Sequence, residues 1–110
     1  MQPLLSFAQD VTFFRIGTGS SSGTYFPIVT LIGSTITGPP GSRPCDDGGS
    51  CGVPGLIAAA QTTRGSVANI RGVLSGQLES ALAQSDVIYA AYYGIGVFKK
   101  RAKRGKSLRV

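Results

Sequence analysis

One stretch constrains this chain more than any other. Phe13-Phe14-Arg15-Ile16 is rich in residues that favour an extended backbone, and Gly17-Thr18-Gly19-Ser20-Ser21-Ser22-Gly23 follows it directly. Thr24-Tyr25-Phe26-Pro27 then opens an apolar pattern of helical period. Proline is tolerated there because the N–H it lacks has no partner in a first helical turn. The order is strand, glycine/serine loop, helix start. Such a loop offers free backbone N–H groups, hydroxyls and the positive end of a helix dipole to one spot, which suits a carboxylate or a phosphate.

The loop fits the familiar catalytic and nucleotide patterns poorly. Gly17, Gly19 and Gly23 are spaced one residue too long for the dinucleotide fingerprint, and no acid stands about 20 positions on. No Gly-Lys-Ser/Thr is present, so it is not a P-loop. Gly19-Ser20-Ser21-Ser22-Gly23 satisfies G-x-S-x-G. The chain has no histidine, so a serine there lacks its usual base. The bland reading is a plain glycine-rich turn; the functional one is an anion cradle.

The remaining elements follow by period. Val11–Thr18 reads as the first strand and Thr24–Thr37 as a well-buried helix, with Tyr25, Ile28, Val29, Ile32 and Ile36 on one side and Phe26 and Leu31 on a second. Residues Gly38 to Gly52 hold three prolines and five glycines, which leaves no room for a regular element. Val53–Thr62 reads as a second strand and Ser66–Ser75 as a second helix, capped by Ser66 and ended by Gly76. Ser80–Gln84 reads as a third strand. Asp86–Tyr93 reads as a third helix, with Ser85 or Asp86 as its cap. The β-α-β-α-β-α order predicts an α/β fold: a parallel sheet with flanking helices. In open sheets of this kind ligands sit beyond the carboxyl ends of the strands. The loop of residues 17–24, Tyr25 at the helix start, and Gln84-Ser85-Asp86 all fall there.

Charge points away from nucleic acid. The formal net charge is +6, but residues 99–110 hold seven of the eleven Lys and Arg. Residues 1–98 carry four basic and five acidic side chains, a body charge of −1. A nucleic-acid binder usually spreads its basic residues over a folded face. A terminal basic run is more often a solvated tail. Cys45 and Cys51 flank five residues of a Gly/Asp loop. Two thiolates without histidine make a poor metal site, so a local disulfide is the preferred reading, with free thiols as the alternative. A disulfide implies an oxidising compartment. No apolar run reaches the ~18 residues a membrane helix needs. Met1–Ala8 is apolar and ends in Ala8-Gln9-Asp10, which fits either the last part of a secretory leader or an unstructured terminus.

Taken together, five segments resemble one family. They are Phe14-Arg15-Ile16-Gly17-Thr18-Gly19 with its run to Pro27, Gly65-Ser66-Val67-Ala68-Asn69-Ile70, Ser75-Gly76-Gln77-Leu78-Glu79-Ser80, Ala83-Gln84-Ser85-Asp86-Val87, and the Pro44–Cys51 insert. They resemble the TAXI-family solute receptors of TRAP transporters, some of them described as immunogenic periplasmic antigens. The resemblance covers roughly Thr12 to Phe98. It implies an exported, non-enzymatic receptor with a two-lobed, type II-like periplasmic-binding-protein fold. Such a receptor captures a small carboxylate-bearing solute, an amino acid or a dicarboxylate, and passes it to membrane permease subunits. No cofactor or metal is implied.

On this reading residues 1–10 are leader-like or unstructured, 11–98 form the N-terminal part of one lobe, and 99–110 are a basic tail or linker. Ser107-Leu108-Arg109-Val110 resembles the start of a further strand. The ligand residues implied are Thr18, Gly19, Ser20, Ser21, Ser22, Gly23, Thr24 and Tyr25, with Gln84, Ser85 and Asp86. A half-lobe with open sheet edges is also expected to self-associate. The competing reading is a small interaction protein whose basic tail binds nucleic acid or an anionic membrane surface. A hydrolase using Ser20–Ser22 ranks third.

Overall fold

The computed structural model describes residues 10–110. The leader-like reading of Met1–Ala8 therefore falls outside the described residues. Strand β1 (Thr12–Gly17) is central, with β4 (Leu56–Gln61) on one side and β5 (Ser80–Ala81) on the other, all parallel. Helices α1 (Tyr25–Ile36), α2 (Ser66–Ser75) and α3 (Ser85–Tyr93) connect and cover this sheet. The fold is the mixed α/β arrangement, parallel sheet with flanking helices, that the element order predicts.

The second strand is split where the sequence shows one run. β2 (Thr37–Gly38) and β3 (Val53–Pro54) pair with each other in a separate small sheet. Gly55 then carries the chain from one sheet to the other. Its φ is +83°, its N–H donates to the Gly38 carbonyl at 2.7 Å, and its carbonyl accepts from the Thr12 N–H at 2.9 Å. Only glycine takes that conformation without a steric penalty. The third strand is short: β5 holds two residues rather than five, and Leu82 continues only one further bond, donating its N–H to the Gly17 carbonyl at 3.1 Å.

Helix α1 is less buried than its two apolar sides suggest. Val29 and Gly33 are buried, with Gly33 lying against Ala58 of β4. Ile28, Leu31 and Ile32 are exposed. The sheet covers only the strip of α1 around Val29 and Gly33, so Ile28 and Ile32 of the first apolar side and Leu31 of the second stay open to solvent while Phe26 is half-buried.

The main core gathers Ile70 of α2, Ala91 of α3 and Phe98, with Val67, Leu74, Ala83, Val87, Ile88 and Leu108 around them. Phe98 is wholly buried. It lies in a 3-10 segment, Gly96–Arg101, that leads into the short helix α4 (Ala102–Gly105). Gly105 sits so tightly on the end of α3 that a side chain there would run into the Ala91 carbonyl. The Lys106 ammonium rests over the rings of Tyr92 and Tyr93, 4.3 and 4.4 Å from their centroids. Residues 107–110 form no strand. Cys45 and Cys51 are joined in a disulfide that closes the Gly/Pro loop. No helix among the described residues is long and apolar enough to cross a membrane.

Candidate functional site

Parallel pairing brings three strand ends together. Gly17 pairs with Gln61 on one side and with Ala81 on the other. Each strand leads at this edge into a helix start: Tyr25 for α1, Ser66 for α2 and Ser85 for α3. The capping positions are Thr24, Gly65 and Gln84, and none places a side-chain hydrogen bond on its helix. The first N–H groups of a helix have no acceptor within it. Three sets of such donors and three positive dipole ends thus meet at one edge of the sheet. Between them lies an open groove of about 400 Å³, lined by Gly19, Gly23, Thr24, Tyr25, Arg64, Gly65, Ser66 and Gln84. No acidic side chain lines it.

Asn69 of α2 holds the three connections in place. It is fully buried. Its Nδ2 donates to the Thr18 carbonyl at 2.6 Å and to the Leu82 carbonyl at 2.8 Å. Its Oδ1 accepts from the Thr63 hydroxyl at 2.6 Å. One side chain therefore ties together the chain leaving β1, β4 and β5. Thr63 adds two further links: its N–H donates to the Gly19 carbonyl at 3.0 Å, and its hydroxyl accepts from the Gly65 N–H at 3.1 Å. Buried polar groups bonded this fully hold a single geometry.

The residues expected from the sequence divide into three groups. Gly19, Gly23, Thr24, Tyr25 and Gln84 line the groove. Ser20, Ser21 and Ser22 are exposed beside it, with the Ser20 and Ser22 hydroxyls 3.2 Å apart. Ser85 and Asp86 are exposed in the first turn of α3 and do not line it. Thr18 is the clearest departure. It is fully buried, and its hydroxyl donates to the Gln61 carbonyl at 2.9 Å. It braces β1 against β4 instead of facing a ligand.

Two capping expectations also change. Ser66 is the first residue of α2 rather than its cap, and its hydroxyl accepts the Gln84 N–H at 2.9 Å. That bond locks the start of α3 to the start of α2. Neither Ser85 nor Asp86 caps α3; Asp86 lies in the first turn, where a negative charge suits the dipole.

Arg64, Gly65 and Ser66 also line the groove, although the sequence marks Ser66 only as a cap, Gly65 only within a family segment and Arg64 not at all. The signal was present, since the rule that ligands sit beyond strand ends applies to β4 as much as to its neighbours. Asn69 also left a trace: a polar residue beside Ile70 on an otherwise apolar helix face.

Beside the site, Arg15 and Glu79 form a two-pronged ion pair. Arg15 Nε donates to Glu79 Oε1 at 2.9 Å and a terminal nitrogen donates to Oε2 at 2.6 Å. The Arg15 backbone N–H adds a bond to Oε1 at 2.7 Å. These bonds, the side-chain ones above all, pull the Glu79 carboxyl from an ordinary 4.5 down to about 2. Among the described residues no three His, Cys, Asp or Glu side chains are grouped to hold a metal.

A groove ringed by helix starts at the carboxyl ends of parallel strands is where an α/β fold of the ligand-binding class takes its ligand. Comparison with known families gives the same class. Residues 16–110 match the NMT1-like family, so the chain belongs to that family, which is of periplasmic-binding-protein type and binds small solutes outside the cytoplasm.

Proposed function

We propose that this chain is the receptor part of a TRAP-type transporter of the TAXI class. It binds a small carboxylate-bearing solute, an amino acid or a dicarboxylate, in the periplasm and presents it to membrane permease subunits. It carries out no chemical reaction. The observation that supports this most is the convergence of the α1, α2 and α3 starts on one groove that no acid lines. A carboxylate placed there meets N–H donors and favourable dipole ends, and Asp86 in the first turn of α3 stays outside the lining. The sequence resemblance supplies the transporter class, and membership of the NMT1-like family supplies the solute-binding role.

Isothermal titration of the 110-residue chain with glutamate, succinate and their uncharged diamides tests this. The acids are expected to bind and the diamides not, with affinity falling as salt is raised. Equal binding of acids and diamides, or binding of neither, would remove the carboxylate reading.

A further inference from the structure

Arg64 lines the groove and makes no ion pair among the described residues. It is solvent-exposed, and it stands between two hollows. On one side is the groove of the three helix starts; on the other is a second hollow, of about 540 Å³, lined by Arg15, Gln61, Thr63, Ala68, Gln77 and Leu78 among others. The charge of Arg15 in that second hollow is already matched by Glu79. The guanidinium of Arg64 is thus uncompensated beside a site whose other polar groups are backbone donors, hydroxyls and one amide.

We propose that Arg64 selects the charge class of the ligand by pairing with a second anionic group, one beyond the carboxylate held by the helix starts. This rests on the solute-binding reading above. The division of labour follows from the chemistry. Backbone N–H groups and dipole ends favour one carboxylate, whatever the rest of the solute carries. A guanidinium, planar and always charged, favours a second carboxylate by a paired hydrogen bond. The loop that carries Arg64 is fixed from both sides, by Thr63 to Gly19 and by Gly65 to Thr63. The charge is therefore presented from a set place even though the side chain is exposed.

The test compares succinate with butyrate, acids of equal chain length that differ by one carboxylate. Binding is followed by 1H–15N NMR titration of the wild-type chain, Arg64→Gln and Arg64→Lys, after their unliganded spectra are checked for an unchanged fold. The expected result is a loss of about tenfold in succinate affinity for Arg64→Gln, little change for butyrate, and partial recovery in Arg64→Lys. Equal loss for both acids, or no loss for either, would overturn the role of Arg64 while leaving the groove as a carboxylate site. Failure of both acids to shift the loop resonances of the wild-type chain would overturn the solute reading and the role of Arg64 with it.

Discussion

At the scale of single residues, Asn69 governs the site without lining it. Its amide and carbonyl satisfy three partners from three connections. Asn69→Ala leaves the Thr18 and Leu82 carbonyls and the Thr63 hydroxyl without that partner in the interior. Each orphaned group costs on the order of 1–3 kcal/mol, so a loss of about 3 kcal/mol is expected in urea unfolding. A loss below about 1 kcal/mol would mean that water replaces the side chain. Gly17 is part of the same device, because a methyl group there would meet the Asn69 carbonyl oxygen at 2.5 Å. Glu79 gives a separate expectation in pH. Its folded-state value lies below its ordinary one, at about 2 against 4.5. Stability from the Arg15 pair is therefore complete above about pH 4.5 and is lost as the pH falls toward about 2. Glu79→Gln is expected to flatten that part of the acid-unfolding curve, as followed by circular dichroism.

At the scale of elements, the disulfide loop and the groove lie at opposite ends of the sheet. The loop precedes Leu56, which pairs with Thr12 at the start of β1, whereas the groove lies past Gly17 and Gln61. Reducing Cys45–Cys51 is expected to cost about 2 kcal/mol, from the entropy of a small closed ring, while succinate affinity stays within about twofold. Thermal unfolding and titration with and without reductant check both. Strands and helices were largely legible because period and breakers are local: β1, α1, α2 and α3 lie within a residue or so of their sequence-read limits. What failed depends on partners distant in sequence. Gly55 ends a strand because Gly38 and Thr12 claim its backbone groups. β5 stops at Ala81 because β1 itself ends at Gly17. Thr18 turns inward because the Gln61 carbonyl waits there, which no spacing within residues 17–25 reveals. Arg64 gives no signal in the sequence because a lone arginine in a turn belongs to no pattern.

At the scale of the whole molecule, the chain beyond α3 packs back on the core through Phe98, Gly105 and Leu108. Phe98 is wholly buried, Leu108 packs against the same core, and Lys106 caps the tyrosines of α3. Phe98→Ala is expected to cost about 3–5 kcal/mol in chemical denaturation, a loss on the scale of a small domain's whole stability. A negligible change would mean that the segment beyond α3 is only loosely attached. The central claim is that the starts of α1, α2 and α3 form one carboxylate site. Native-state amide hydrogen exchange on the full 110-residue chain, with and without succinate, tests it most directly. The expected result is added protection at three separated segments together: 19–25, 64–66 and 84–86. Exchange that slows at one of these segments alone, or at none, would contradict it.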